Sequence, residues 1–298
     1  MIFSNSWTAL NRNIMELSPF VNITDINALT AFEFETACRH YTKYAYLDNN
    51  LALCSILTKY KIYVDTRDLG IAPHLILDGF WETWLTQCLA RIIKPGDVCI
   101  DVGANFGYYS VLMSTLTGEK GQTIAIEPNP HVCKLLRFTA NVHNSHFEVV
   151  EMALSNKRGR VVLSIPDSYF GDASIIPRPD KWSLQKKKTK VNTISFDELV
   201  LKLNLPKVDV IKIDVEGVEP LVFEGMQQTI DKNPDVRIIV EYSPFLYTDA
   251  RNFTEYLFSK FVVHRIKDVD EMITLDESAI DELLQLKNHT DLYLECKR

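Results

Sequence analysis

One ten-residue stretch limits what this chain can fold into: Val98-Cys99-Ile100-Asp101-Val102-Gly103-Ala104-Asn105-Phe106-Gly107. An apolar run ends in an acid, passes through a small-residue turn and leads into Tyr108-Tyr109-Ser110-Val111-Leu112-Met113, which reads as a helix. Strand, glycine turn and helix are the opening unit of a doubly wound α/β sheet, in which ligands bind beyond the carboxyl ends of the strands. Gly103 and Gly107 are expected where the backbone turns tightly and lies against a ligand. The helix that follows presents free backbone N–H groups at its start.

The spacing separates two ligand classes. A dinucleotide site carries G-x-G-x-x-G, whereas here the pattern is Asp-x-Gly-x-x-x-Gly, with Ala104 and Asn105 inside it. An acid before the turn repels a pyrophosphate and suits a cationic amine. S-adenosylmethionine (SAM) has no phosphate and carries an ammonium and a sulfonium, so the turn favours SAM over NAD. A second strand, Thr123 to Ile126, ends in Glu127-Pro128-Asn129-Pro130. Glu127 lies 24 residues past Gly103, near the ~20-residue spacing at which an acid meets a ribose diol. The pair Asp101 and Glu127, each at a strand end, is more specific than either alone.

A chain of 298 residues with 46% apolar and 24% charged residues is long enough for a sizeable core. The net charge of −7 argues against wholesale nucleic-acid binding. Six cysteines without a C-x-x-C pair fit reduced, buried thiols rather than a disulfide framework or zinc site. No apolar run reaches transmembrane length, and Met1 to Phe20 lacks a signal-peptide core; the expectation is a cytoplasmic protein.

Residues 1–60 are expected to form a helical N-terminal extension, with Ala28 to Leu47 and Leu51 to Tyr60 as helices. It is open as a lid, a homo-oligomer element or a pad over the sheet. Residues 61–298 then form the α/β domain. Glu82 opens a helical run, Thr83 to Ile93, where the helix dipole favours an acid; a contact to the SAM amine or the substrate is the other reading. Lys186 to Lys190 is a basic cluster of solvated type. Val208 to Glu219 is an apolar strand with one lysine, Lys212, ending in Asp214, with Glu216 and Glu219 close behind. Such crowded carboxylates need a cation, a proton or a hydroxyl partner. A fifth core strand, Val236 to Val240, ends at Glu241. Seven strands, mainly parallel and closing with an antiparallel C-terminal strand, are the expected sheet, with a helix over 276–286.

Together the segments DVGANFGYYS (101–110), AIEPNP (125–130), ALSN (153–156), IKIDVEGVE (211–219) and IVEYSP (239–244) resemble the FkbM-type methyltransferases, over roughly residues 62–298. The resemblance implies a class I, Rossmann-like methyltransferase fold and a SAM pocket lined by Asp101, Gly103, Ala104, Asn105, Glu127, Ala153 and Leu154. Neighbouring Gly107, Tyr109, Ser110, Pro128 and Asn129, and Glu82, complete the candidate cofactor-binding set. It also implies a hydroxyl acceptor on a sugar, glycan or natural product. Many relatives have a histidine after the acid of the last motif; this chain has Tyr242, so no catalytic histidine is expected there.

Methyl transfer to oxygen needs alignment and removal of the hydroxyl proton. Asp214, then Glu241, then Glu216 are the candidate bases. Asp214 and Glu241 are also the candidate ligands of a Mg²⁺ that would acidify the oxygen. A non-catalytic SAM- or nucleoside-binding subunit and an NAD-dependent dehydrogenase are the alternatives.

Overall fold

The computed structural model describes residues 23–142, 147–176, 186–268 and 271–298. Residues 1–22, 143–146, 177–185 and 269–270 lie outside them. In chain order the strands are β1 (Tyr44–Asp48), β2 (Leu51–Ile56), β3 (Tyr60–Asp65), β4 (Val98–Val102), β5 (Gln122–Ile126), β6 (Phe147–Val150), β7 (Ala153–Ser155), β8 (Gly159–Pro166), β9 (Lys186–Ser195), β10 (Val210–Ile213), β11 (Arg237–Tyr242), β12 (Phe261–Asp268), β13 (Glu271–Leu275) and β14 (Thr290–Cys296).

The main sheet has the order β13-β12-β14-β11-β10-β4-β5-β6. Five strands, β6, β5, β4, β10 and β11, are parallel. β14 is antiparallel to β11, and β12 to β14. The sheet is one strand wider than expected, because β13 pairs with β12 at the edge. β13 has no buried residue, so hairpin pairing rather than an apolar face defines it. The helix expected over 276–286 is shorter, a 3₁₀ turn at Glu277–Ala279 followed by Ile280–Leu284.

Strand alternation splits the interior into two cores. Cys99, Ala125, Val210, Ile239 and Tyr293 pack on one face with Leu89, Leu112 and Leu136. These leucines belong to helices Thr83–Ile92, Tyr108–Thr117 and Pro130–Val142. Ile100, Ile124, Ile211 and Ile238 pack on the other with Phe223 and Leu257. Side chains two residues apart share a face, so Asp101, Lys212 and Glu241 project to the first face. In the register Lys212 lies beside Asp101 on β4 and Ile239 on β11. The two charged positions are therefore neighbours by pairing.

The N-terminal segment departs from the all-helical expectation. Helix Ala31–Tyr41 is present, opened by a capping box between Thr30 and Glu33. Residues 44–65 instead form an antiparallel sheet, β1-β2-β3. Asn49 and Asn50 have φ of 49° and 64°, the left-handed pair that a tight hairpin turn needs. In β2, Ala52 and Cys54 are buried between half-buried Leu51 and Leu53, a period of two where a helix was expected. β2 pairs with β3 along its whole length, so the sheet crosses the expected boundary between residues 60 and 61.

The five cysteines Cys38, Cys54, Cys88, Cys99 and Cys133 are free and buried, and Cys296 is free and half-buried. A three-stranded sheet, β7-β9-β8, stands beside the main one. The lysine cluster lies on β9, where Lys187, Lys188 and Lys190 are exposed. No helix among the described residues is long and apolar enough to cross a membrane.

Candidate active site

A cavity of about 380 Å³ opens at the carboxyl edge of β4, β5, β10 and β11, within the range of about 300–1,000 Å³ usual for small-molecule sites. Of the expected residues, Glu82, Gly103, Ala104, Asn105, Tyr109, Glu127, Pro128, Ala153, Leu154, Asp214, Glu216 and Glu241 line it. Asp101, Gly107, Ser110 and Asn129 are not in its described lining.

Each of these four has another placement. Asp101 is fully buried beneath the cavity floor; Ser110 Oγ donates to its Oδ2 at 2.6 Å, and Lys212 Nζ lies 3.8 Å from its Oδ1. A direct contact between Asp101 and a ligand amine is therefore corrected to support through Lys212. Gly107, at φ +98°, faces the helix behind it, where an added Cβ would sit 2.4 Å from Leu136. Asn129 positions its neighbours: its N–H donates to Glu127 and its Oδ1 accepts from the His131 N–H. Gly103 lines the cavity, yet its missing side chain serves packing. At φ +83° an added Cβ would lie 1.8 Å from the Asp214 carbonyl oxygen.

At one end of the cavity Glu127 is held by backbone. Its Oε2 accepts the Asn105 N–H at 3.0 Å and its Oε1 the Asn129 N–H at 2.8 Å. Burial pushes its pKa up to about 7 despite these two donors. Each carboxylate oxygen retains a further acceptor site. Asn105, held at φ +48°, keeps a buried Oδ1 with no partner among the described residues.

At the other end side chains do the holding. Asp214 follows β10 and Glu241 lies in the adjacent strand β11, as expected of neighbours. Lys212 Nζ binds Asp214 Oδ2 at 3.0 Å and sits 4.9 Å from the Tyr109 ring centroid. Burial works against the ammonium, but Asp214 and Asp101 outweigh it and keep the lysine charged. Tyr109 donates to Glu82 Oε2 at 2.6 Å. Glu82 has a left-handed backbone and makes no cap bond to its helix, so any dipole benefit at the helix start comes without a capping hydrogen bond. Burial, then Asp291, raise its pKa to about 8. Burial, then Asp214, push Glu241 well above the carboxylate range.

The crowded acids are thus answered three ways. Lys212 is the cation. Glu219 is buried and accepts the Val215 and Gly217 N–H groups, both at 2.9 Å, so it caps the loop. Glu82 and Glu241 favour protonation. Asp214, Glu216 and Glu241 do offer oxygens within 4.8 Å of one another, but Lys212 already answers Asp214. The metal role expected for Asp214 and Glu241 has no support beyond that proximity.

Several lining residues had no role assigned from sequence: Lys212, Trp81, Tyr169, Phe170 and His289. Lys212 had a local signal, a single charge in an apolar strand. His289 had none, because strand pairing alone brings it to Glu241.

A model of the methyltransferase FkbM domain matches residues 101–286. The chain is 36% identical over 177 residues to the hexuronic acid methyltransferase AglP of Haloferax volcanii, covering 54% of this chain and 67% of that protein. It is 27% identical over 169 residues to the 2-O-methyltransferase NoeI of Sinorhizobium fredii, covering 53% and 68%. Among solved structures, the methyltransferase FkbM from Methylobacillus flagellatus KT aligns at 13% identity and a TM-score of 0.44, over 70% of this chain and half of that one. The α/β fold is that of a class I methyltransferase, and the chain belongs to the FkbM methyltransferase family.

Proposed function

We propose that the chain is a SAM-dependent O-methyltransferase whose acceptor is a hydroxyl on a sugar or glycan. The observation that carries this is the two-ended cavity, with backbone-held Glu127 at one end and the Glu82, Asp214 and Glu241 carboxylates at the other. Nucleoside binding uses the first end. Glu127 accepts the two ribose hydroxyls on its free acceptor sites, Asn105 Oδ1 accepts a further donor, and Pro128, Ala153 and Leu154 flank the base. The acidic end suits the ammonium and sulfonium, with Glu82 as the carboxylate for the cationic tail. SAM supplies an activated methyl on a good leaving group. The protein's part is to orient the acceptor oxygen, exclude water and accept its proton. The sugar acceptor is supported by AglP and NoeI, whose names state a hexuronic acid and a 2-O position.

The N-terminal segment contributes no described residue to the cavity lining and acts as a buttress behind it. Glu35 Oε1 accepts from Thr83 Oγ1 at 2.9 Å, Gln87 donates to Ile26 and Leu29 carbonyls, and Arg39 binds Asp78. All fasten it to the chain around Trp81 and Glu82.

Calorimetric titration with S-adenosylhomocysteine (SAH), using NADH as control, tests this. Binding of SAH that is lost in Glu127→Ala is expected. Binding of NADH without SAH would replace the methyltransferase by a dehydrogenase.

A further inference from the structure

The proton of the acceptor hydroxyl has to leave on a group that faces the acidic end of the cavity. His289 lines that end, and its Nδ1 lies 3.5 Å from Glu241 Oε1. Its place is fixed by strand pairing. Tyr242 pairs with Thr290 and Glu241 with Asp291 on β14, so the residue just before β14 emerges beside the end of β11. The imidazole is 47% exposed while the Glu241 side chain is 16% exposed; of the two groups lining the cavity, the ring is the more open. Asp291, also close to it, is held by the Trp84 indole N–H at 2.8 Å. Asp214 has one oxygen engaged by Lys212.

We propose that His289 is the general base of the methyl transfer, oriented by Glu241, whose Oε1 accepts the Nδ1–H and leaves Nε2 free toward the acceptor. This rests on the methyltransferase reading above. The proton that burial favours on the Glu241 carboxyl group sits on Oε2, which leaves Oε1 to accept. A base oriented by a carboxylate is a recurrent way to fix the ring and its tautomer. Contacts of this kind are often long without substrate and shorten in the complex. In the step, the acceptor oxygen forms a bond to the methyl carbon as the carbon–sulfur bond breaks. The electron pair of that bond stays on sulfur, giving SAH, and the hydroxyl proton passes to His289 Nε2 and then to water.

Two measurements test it on the full-length protein. The first needs no acceptor. In the SAH complex, ¹⁵N NMR of the histidine rings should show His289 as the Nδ1–H tautomer, and Glu241→Leu, which leaves no acceptor at that position, should remove that preference. An Nε2–H tautomer, or a doubly protonated ring at the pH of turnover, would overturn the proposal. The second uses a sugar acceptor that the wild-type protein methylates. His289→Ala should lower kcat about 10²- to 10⁴-fold with SAH affinity within threefold of wild type, and added imidazole should restore turnover at least tenfold. A loss below tenfold, or one that imidazole does not restore, would overturn it. Failure of SAH to bind the wild type would strike the methyltransferase reading instead.

Discussion

The two ends of the cavity solve the same problem, a buried carboxylate facing a ligand, by different means. Glu127 is satisfied by two main-chain N–H groups that follow from the course of the loops after β4 and β5. Glu82, Asp214 and Glu241 depend on each other, on Tyr109 and on one ammonium. Main-chain donors stay when a neighbouring side chain is replaced. A side-chain cluster is a network in which each change leaves a charge behind. The Glu127 end should therefore tolerate substitutions around it, and the acidic end should not.

The hardest test of that contrast is Lys212→Met. It removes the only cation bonded to Asp214 among the described residues, which is also the one beside Asp101, and stranding buried charge costs about 3–5 kcal/mol. Chemical denaturation is expected to show a loss of that size, partly recovered when Asp101→Asn is added. An unchanged midpoint would mean that the cluster does not depend on its ammonium.

Next comes Glu127→Ala. Losing two charge-assisted hydrogen bonds at about 1.5 kcal/mol each predicts SAH affinity weaker by about 100-fold in calorimetry. Asn129→Ala, by contrast, should weaken it less than threefold, since the N–H to Glu127 is main chain. Equal losses in the two variants would erase the distinction between the ends.

The pH response sharpens the contrast further. Glu82 and Glu127 titrate at about 8 and about 7 in the folded protein, above their unfolded value near 4.5. The folded state thus holds protons that the unfolded state has released. Stability without ligand is then fully present below about pH 4.5 and falls as pH rises through 7 and 8, by at most about 1.4 kcal/mol per pH unit per group. Thermal melts should show it, and Glu82→Gln should flatten the upper part. SAM, being cationic, should bind about tenfold tighter at pH 8.5 than at pH 6.5 as Glu82 ionises, with a smaller change for SAH. The smallest effect expected is from EDTA: turnover changed by less than twofold, because Lys212 supplies the positive charge at Asp214. A larger loss would restore the metal.

Much of this was legible because it is local. A strand that closes on an acid brings Asp101, Glu127, Asp214 and Glu241 to the carboxyl edge of the sheet without knowledge of pairing. What failed needed pairing or packing. Asp101 points under the floor because the residue beside it across the sheet is Lys212, and no linear pattern gives that register. Gly103 and Gly107 are expected at a tight turn against a ligand; both have the left-handed backbone of such a turn and Gly103 lines the cavity, but the space a side chain would need is taken by Asp214 and Leu136, which only packing reveals. Residues 44–47 and 51–56 form strands where helix is expected, because the aromatic and leucine content on either side of Asn49-Asn50 carries no sign of the hairpin that this turn closes. His289 belongs to the site only through the antiparallel return of β14.

The contact between Gly103 and the Asp214 carbonyl oxygen also bears on inheritance. The glycine turn that ends β4 and the acidic loop that follows β10 are far apart in the chain but share one space too narrow for a methyl group. They can change only together. Among descendants of a common ancestor, a chain that has lost this glycine should also show a rebuilt loop after β10, and a search that scores the two segments as one compound character should separate true relatives from chains that merely share a nucleotide-binding turn.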